Sequence, residues 1–161
     1  MNKTALRRFY TAIRKAIPQN EQKSKSVRIG MSVHDVVQWS QVRRVHAYRT
    51  IRGLNEVDTS WLIDSFTKLQ LKIELTIGDM TENAPIPQDQ YDLIIIPLLA
   101  FDESCHRLGN GGGWYDRFLS TQTNATKIGL AFDTQLAAAF PIEPHDVQLD
   151  MVVTESMVFT K

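Results

Sequence analysis

The chain has 161 residues, of which 43% are hydrophobic and 22% are charged, and its formal net charge is zero. This length and balance fit one domain over residues 1–161 and exclude a disordered or highly charged chain. No apolar run approaches the ~20 residues needed to cross a bilayer. One cysteine cannot form an internal disulfide, so we expect a cytoplasmic protein.

The charges are distributed unevenly along the chain. Residues 1–52 carry twelve lysines and arginines but two acids, whereas the remainder carries six bases and sixteen acids. Such an asymmetry fits a site for anionic ligands, a contact with nucleic acid, or a solvated basic face opposite an acidic one. Only charge supports the nucleic-acid alternative, because the sequence contains no basic stretch with stacking aromatics and no binding motif of that class.

Two helices are predicted at the start of the chain. The first is amphipathic and ends near Pro18, with apolar residues at helical spacing at Leu6, Phe9, Tyr10, Ile13 and Ile17. The second covers about residues 21–42, although Gly30 is an unfavourable residue inside it. Both helices precede Arg44–Ile51, where alternating apolar residues predict a strand.

A strand and a helix should alternate through the rest of the chain. The third helix is predicted to end at Gln70 and to be capped by Asp58, Thr59 or Ser60. Further strands are predicted at Leu71–Ile77, Asp92–Pro97, Lys127–Ala131 and Met151–Thr154, the last of which closes the sheet. Asp133 should cap a short apolar helix through Phe140, and Gly78–Gln90 is a loop. This alternation predicts a parallel α/β sandwich with right-handed crossovers.

The central strand leads into the most informative segment. Asp92–Pro97 is followed by a polar loop, Arg107, four glycines in the five positions from Gly109 to Gly113, and a helix predicted over about Trp114–Ser120. Glycines let backbone N–H groups approach an anion, and a helix N-terminus adds partial positive charge, so this order predicts a phosphate site. A flexible surface turn is the alternative, and no Walker or dinucleotide motif is present.

The same segment resembles the signature of the 5-formyltetrahydrofolate cyclo-ligase family, P-G-x-A-F-D-x-x-G-x-R-L-G-x-G-x-G-Y-Y-D-R. The residues that match in register are Pro97, Ala100, Phe101, Asp102, Arg107, Leu108, Gly109, Gly111, Gly113, Tyr115, Asp116 and Arg117. Asn55–Thr59 resembles the E-[IV]-D-T element of the family, and Lys3–Arg7 resembles its amino-terminal K-x-x-L-R. Residues 127–132 and 141–153 resemble its closing strands.

The chain also departs from the family pattern. Leu71–Ile77 runs almost directly into the central strand, so the family's middle segment, with part of the folate site, is predicted to be deleted. Cys105 stands where the family commonly has a glycine, and Trp114 replaces the first tyrosine. The nucleotide side is therefore expected to be intact and the folate side reduced.

The resemblance implies a three-layer sandwich with a mainly parallel sheet, of the NagB/RpiA/CoA-transferase-like type. It implies ATP- and Mg²⁺-dependent cyclisation of 5-formyltetrahydrofolate to 5,10-methenyltetrahydrofolate, with release of ADP and phosphate. ATP and Mg²⁺ are the implied cofactors and a reduced folate is the substrate. We expect a monomer, with a dimer as the alternative.

Roles for individual residues follow from the same resemblance. The implied nucleotide-binding residues are Lys3, Arg7, Arg107, Leu108, Gly109, Asn110, Gly111, Gly112, Gly113, Trp114 and Tyr115. Arg107 and Tyr115 are the implied catalytic residues. Ile51, Glu56 and Trp114 would contact the folate, and Asp116 with Asp150 would hold Mg²⁺.

Alternatives stay open for three of these residues and for the whole chain. Glu56 is alternatively a helix-capping residue, and Asp150 a turn residue. Lys3 is alternatively an ordinary basic residue near a terminus. A nucleotide- or phosphate-binding relative without folate chemistry, acting as a binding or regulatory module, is the alternative function.

Overall fold

The computed structural model describes residues 1–78 and 80–161. In chain order, the helices are α1 (Lys3–Lys15), α2 (Gln19–Val36), α3 (Ser60–Lys68) and α4 (Trp114–Ser120). The strands are β1 (Arg44–Tyr48), β2 (Lys72–Thr76), β3 (Leu93–Pro97), β4 (Ala100–Phe101), β5 (Arg107–Leu108), β6 (Thr126–Leu130), β7 (Met151–Val153) and β8 (Val158–Thr160). Short 3-10 turns cover Trp39–Gln41 and Asp133–Gln135.

One sheet of six strands organises the molecule, in the order β2-β1-β3-β6-β7-β8. The first five strands of that order are parallel to one another, and only β8 runs antiparallel, beside β7. The predicted mainly parallel α/β fold is therefore confirmed. Since all the parallel strands point one way, their carboxyl ends meet at a single edge of the sheet, where α/β folds bind their ligands.

Helices cover both faces of this sheet. On one face, α2 and α3 place Ile29 and Phe66 against Leu93 and Ile95 of β3. On the other face, Phe118 of α4 packs in the cluster that contains Ile94 and Ile96. The alternating apolar residues of β3 thus face two separate cores, as expected of a strand buried on both sides.

Gly30 explains how α2 and α3 pack so closely. A Cβ atom at this position would lie 2.7 Å from Cε3 of Trp61, which is shorter than side-chain atoms tolerate. Gly30, which weakens the prediction of α2, therefore allows α2 to pack closely against α3. Among the described residues, no helix combines the length and apolar content required to cross a bilayer.

Helix α1 lies at the carboxyl edge of the sheet and not on either face. Its Leu6 and Tyr10 pack against Leu99, Ala100 and Leu108 of the β4–β5 region. The Asn2 side chain caps the helix by accepting a hydrogen bond from the Ala5 N–H group at 2.9 Å. The predicted amphipathic helix is correct, and its apolar face covers the hairpin that precedes the glycines.

Several predicted boundaries differ from the structure. Helix α2 ends at Val36, and the 3-10 turn at Trp39–Gln41 takes the place of its expected continuation to residue 42. Strand β1 ends at Tyr48, well before Ile51. The polar loop before Arg107 contains a two-residue hairpin, β4–β5, that the sequence pattern did not predict.

Two predictions in the carboxyl-terminal part were wrong. The helix expected from Asp133 through Phe140 is only the turn Asp133–Gln135, because the Gln135 side chain accepts the Phe132 N–H and donates to the carbonyls of Leu98 and Leu99. The predicted strand Met151–Thr154 does not close the sheet, since β8 pairs along its outer edge.

Candidate active site

A cleft lies at the carboxyl ends of β1, β2 and β3, under α1 and the glycine-rich segment. Tyr48, Thr76 and Pro97, the last residues of these three strands, all line it. All the residues predicted to bind nucleotide or folate, together with Asp116, also line this one cleft: Lys3, Arg7, Ile51, Glu56, Arg107, Leu108, Gly109, Asn110, Gly111, Gly112, Gly113, Trp114 and Tyr115. Their roles remain predictions, but the fold brings them together from three separate segments of the chain.

The glycine loop (residues 109–113) forms one wall of the cleft, and arginines pack against it. Arg107 is buried and donates from Nη2 to Asp116 Oδ1 at 2.7 Å. A Cβ atom at position 109 would lie 2.7 Å from Nη1 of Arg107. The Arg7 Nε donates to the Gly109 carbonyl at 2.9 Å. Glycine at these positions therefore also makes room for two cations that face the cleft.

The short segment after β2 closes the outer side of the glycine loop. Trp114 Nε1 donates to the Pro85 carbonyl at 3.2 Å, and the Arg117 guanidinium donates to the carbonyls of Gly112 and Glu82. The predicted Gly78–Gln90 loop thus packs against the wall formed by the glycine loop, with residue 79 outside the described part of the chain. Within the described residues, this shortened segment supports the site.

Lys3 joins α1 to an acidic loop at the mouth of the cleft. Its Nζ donates to Glu143 Oε2 at 2.5 Å and to Asp146 Oδ2 at 2.6 Å. Burial opposes the charge of Lys3, but these hydrogen bonds outweigh it and raise the pKa of the ammonium group. Burial likewise opposes ionisation of Asp146, yet Lys3 and the Glu143 N–H group lower the pKa of its carboxyl. Both members of the pair are charged at neutral pH.

The acidic loop that carries Asp146 lies against Asp116, and both residues line the cleft, whereas Asp150 does not. The Val147 N–H donates to Asp116 Oδ1 at 3.1 Å, which brings the acidic loop onto α4. Asp150 instead accepts from the Lys127 N–H group at the amino-terminal end of β6 and pairs with Lys161. It therefore lies at the opposite edge of the sheet, and the predicted Asp116–Asp150 metal pair is wrong. Ligand atoms of Glu143, His145 and Asp146 lie within 4.8 Å of one another.

The 50–59 loop forms the other wall, and it is densely hydrogen-bonded. Glu56 is buried and accepts from the Ile51 N–H at 3.0 Å. Asn55 adopts a left-handed backbone with φ of 53° and donates to the carbonyls of Arg14 and Ile17 at 2.7 and 2.9 Å. The Gln22 side chain donates to the Glu56 carbonyl at 2.6 Å. The side of the cleft predicted to bind folate is short, but it is not reduced to a loose loop.

Arg14 anchors the same loop from α1. Its Nε donates to the Leu54 carbonyl at 2.9 Å, and its Nη1 donates to the Leu98 carbonyl at 3.1 Å. Burial lowers the pKa of this guanidinium, and the nearby charge of Glu56 opposes that shift. A buried cation and a buried carboxylate thus sit at the floor of the cleft, each offsetting the cost of burying the other.

A buried polar chain reaches the cleft from inside the sheet. His46 Nε2 lies 3.1 Å from Thr76 Oγ1, and Thr76 lines the cleft. The Tyr115 hydroxyl is also buried, and among the described residues it has no hydrogen-bond partner. Burial raises the pKa of this hydroxyl, so Tyr115 is protonated at neutral pH.

Sequence reasoning missed several residues that line the cleft. They are Arg14, Tyr48, Arg49, Thr76, Gly78, Met80, Leu98, Glu143, His145 and Asp146. The rule that ligands lie at the carboxyl ends of parallel strands could have found Tyr48, Arg49, Thr76 and Leu98. No local pattern in the sequence distinguishes Asp146 from Asp150.

Comparison with known proteins gives a consistent result. The family model described as the 5-formyltetrahydrofolate cyclo-ligase family matches residues 76–155. The 5-formyltetrahydrofolate cyclo-ligase of Mycoplasma genitalium is 46% identical over 76 residues, which is 47% of this chain and 45% of that protein. The Escherichia coli K12 protein of the same name is 43% identical over 76 residues, covering 46% of this chain and 42% of its own. The matches therefore span less than half the length of these relatives.

A solved structure extends the similarity to nearly the whole chain. The 5,10-methenyltetrahydrofolate synthetase of Mycoplasma pneumoniae superposes with a TM-score of 0.82 at 26% identity, covering 96% of this chain and 99% of that one. A short middle segment is consequently not peculiar to this chain. The signature segment, the cleft around it and these similarities together place the chain in the 5-formyltetrahydrofolate cyclo-ligase family.

Proposed function

We propose that the protein catalyses the ATP- and Mg²⁺-dependent cyclisation of 5-formyltetrahydrofolate to 5,10-methenyltetrahydrofolate. One observation carries this proposal: Glu56 on the 50–59 loop and the glycine loop with Arg107 line the same cleft. A reduced folate and a nucleotide bound to these residues would meet in the cleft. The relatives named above are called 5-formyltetrahydrofolate cyclo-ligases and a 5,10-methenyltetrahydrofolate synthetase, which supports the same reaction.

The chemistry requires a poor leaving group to be activated. Transfer of the γ-phosphoryl group of ATP to the formyl oxygen releases ADP and leaves an iminium-type phosphate. The neighbouring folate nitrogen then attacks the formyl carbon, the C–O bond breaks with release of phosphate, and the proton of that nitrogen is lost to solvent. Such a reaction needs positioning and charge neutralisation rather than a protein nucleophile.

The nucleotide wall supplies the positive groups for the phosphates. Backbone N–H groups of Gly109, Gly111 and Gly113 and the side chains of Arg107 and Lys3 would contact phosphate oxygens. Lys3 and Arg107 are each held by an acid in the ligand-free chain. They are therefore already at the cleft, and exchange of partners would bring them onto the nucleotide.

The acidic groups at the mouth fit a hard divalent cation. Asp116 and Asp146 offer carboxylate oxygens beside the predicted phosphate site, and Mg²⁺ prefers such oxygen donors. Mg²⁺ bound there would neutralise charge on the transferred phosphoryl group. We propose Asp116 with Asp146 as the metal-binding pair, in place of Asp116 with Asp150.

Glu56 would recognise the pterin ring of the folate. Its carboxylate can accept two hydrogen bonds from the N–H edge of an aminopyrimidinone, and its burial makes each of them stronger than in water. Arg14 and Asn55 hold the loop that carries Glu56. They are positioning residues for this contact.

The direct test follows absorbance of methenyltetrahydrofolate when purified protein meets 5-formyltetrahydrofolate and MgATP. We expect turnover that depends on both ATP and Mg²⁺ and stops when either is omitted. Absence of turnover, with MgATP still bound in a parallel titration, would instead support a nucleotide-binding relative that lacks folate chemistry.

A further inference from the structure

His46 is a buried polar side chain that the roles assigned above do not use. It lies on β1 with 2% of its surface exposed, and it packs between the rings of Tyr91 and Phe118, with centroids 5.2 and 4.7 Å away. Its Nε2 lies 3.1 Å from Thr76 Oγ1, and its Nδ1 has no partner among the described residues. Burial lowers the pKa of His46 to about 4, against the opposing charge of Glu74, so the ring is neutral at pH 7.

The location of the single imidazole proton follows from this environment. A proton on Nδ1 would bury an unpaired N–H donor, whereas a proton on Nε2 leaves only an unpaired lone pair on Nδ1. Buried unpaired N–H groups are the rarer and costlier of the two. The Nε2–H tautomer therefore donates to Thr76 Oγ1.

The hydroxyl of Thr76 is thereby left with a free proton. A threonine hydroxyl has one proton and two acceptor sites, and His46 occupies an acceptor site. The proton must point away from His46, and Thr76 lines the cleft. Thr76 is thus set as a hydrogen-bond donor towards a ligand.

Tyr115 places a second donor beside the first. Burial raises the pKa of its hydroxyl, the neighbouring Thr76 hydroxyl lowers it, and the charge of Glu56 raises it. Among the described residues, no group makes a hydrogen bond of good geometry with this hydroxyl. Glu56, Tyr115 and Thr76 all line the cleft, and this polar strip offers one carboxylate acceptor and two hydroxyl donors.

We propose that Thr76 and Tyr115 donate hydrogen bonds to a ring carbonyl oxygen of the ligand whose N–H edge Glu56 binds, and that His46 is the positioning residue that directs the Thr76 proton. This inference rests on the proposed function. An aminopyrimidinone carries N–H donors next to a carbonyl acceptor, which is the complement of this strip. A 2,4-diaminopyrimidine carries an amino group in place of the carbonyl and a bare ring nitrogen in place of the neighbouring N–H group. It would not accept the two hydroxyl donors, and it offers Glu56 one N–H group fewer.

Binding of two matched ligands tests the specificity. Dissociation constants for 5-formyltetrahydrofolate and its 4-amino counterpart would be measured calorimetrically for the wild type, Thr76→Val and Thr76→Ser. The matched control is Thr67→Val, the same change at an exposed position of α3. We expect Thr76→Val to weaken the 4-oxo ligand by roughly tenfold and the 4-amino ligand by less than about twofold, with Thr76→Ser restoring discrimination.

The alternative outcomes separate this inference from the proposed function. Equal weakening of both ligands by Thr76→Val, or no weakening of either, overturns the carbonyl contact while leaving the enzyme assignment standing. Failure of the wild type to bind either ligand overturns both.

The role of His46 has its own measurements. Nitrogen-15 NMR of labelled protein should show the Nε2–H tautomer, and an Nδ1–H tautomer would overturn the positioning role. His46→Leu should lose the 4-oxo preference to the same extent as Thr76→Val, whereas His46→Gln, which keeps an amide N–H donor, should retain much of it. Circular dichroism checks that each variant is folded.

Discussion

The two walls of the cleft are held by different kinds of interaction. Side-chain hydrogen bonds to the backbone fix the 50–59 loop, through Gln22, Arg14 and Asn55. Ion pairs hold the opposite wall, between Arg107 and Asp116 and between Lys3 and Asp146. A backbone hydrogen bond is kept when a ligand enters, whereas an ion pair can exchange partners with a charged ligand. The wall proposed to bind folate (the folate wall) is therefore preformed, and the wall proposed to bind the nucleotide (the nucleotide wall) is exchangeable.

The largest expected effect comes from breaking the charged wall. Arg107→Ala and Asp116→Ala should each weaken MgATP binding at least ~100-fold, about 2.7 kcal/mol, because each removes a predicted ligand contact and leaves its partner's charge unpaired. Titration calorimetry would measure this, with the affinity for 5-formyltetrahydrofolate expected to change little.

Arg28→Ala, on the exposed face of α2, is the matched control for loss of one positive charge. Unchanged nucleotide affinity in both cleft variants would contradict the proposal that this wall binds the nucleotide.

Substitution of Asn55, which holds the preformed wall, should affect the two ligands in the opposite way. Asn55→Ala should weaken folate binding by roughly tenfold and lower the free energy of unfolding by about 2 kcal/mol, since it loses two hydrogen bonds and strains a left-handed residue. MgATP affinity should stay the same. Urea unfolding and ligand titration would measure the two effects.

Asn55→Gly separates the two causes. Glycine adopts the left-handed backbone without strain, so this variant should lose only the hydrogen-bond contribution and be more stable than Asn55→Ala by roughly 1 kcal/mol. Equal stability of the two variants would show that the backbone conformation at φ 53° carries no strain.

A smaller effect is the pH dependence of stability that arises from His46, in the buried polar chain behind the folate wall. The pKa of His46 is about 4 in the folded protein against an ordinary value of 6.5. The unfolded chain therefore binds more protons in this interval, so stability is full above about pH 6.5 and is lost as the pH falls towards 4. Between pH 7.5 and 5 we expect a loss of about 2 kcal/mol from this residue.

Urea unfolding of the wild type and His46→Gln at both pH values isolates this contribution, because other groups titrate in both proteins. Identical pH dependence in the two proteins would contradict it.

The smallest expected effect tests whether Lys3, on the nucleotide wall, exchanges its acidic partners for the nucleotide. Glu143 is exposed, and its carboxyl pKa is lowered chiefly by the hydrogen bond from Lys3. Glu143→Gln should free Lys3 in part and strengthen binding of ATP measured without Mg²⁺ by a factor of roughly two to five. Weaker binding would mean that Glu143 holds Lys3 in place for the nucleotide instead of competing for it.

The sequence predicted those parts of the cleft whose residues lie close together along the chain. Arg107, the glycines and Asp116 lie within ten positions, so their pattern alone indicated a phosphate site, and all of them line the cleft. The E-[IV]-D-T element likewise indicated Glu56. Local patterns carried the predictions of α1, β3 and α4 for the same reason.

The remaining residues depend on contacts that no local pattern contains. Asp146 and Asp150 both precede an apolar strand, and only the docking of the acidic loop on Asp116 separates them. Thr76 and His46 are ordinary strand residues until β1 and β2 pair in register. Gln135 ends the predicted helix by bonding to carbonyls near residue 98, which lies far away in the sequence.

Helix α1 has a consequence for the order in which the molecule is built. Its cleft contacts join residues 102 positions apart for Arg7 and Gly109, 143 apart for Lys3 and Asp146, and 84 apart for Arg14 and Leu98. Contacts of such large sequence separation form late in folding, because long loops must close first. Helix α1 is synthesised before these partners and therefore waits for them, and competence to bind nucleotide should appear only with the final docking step.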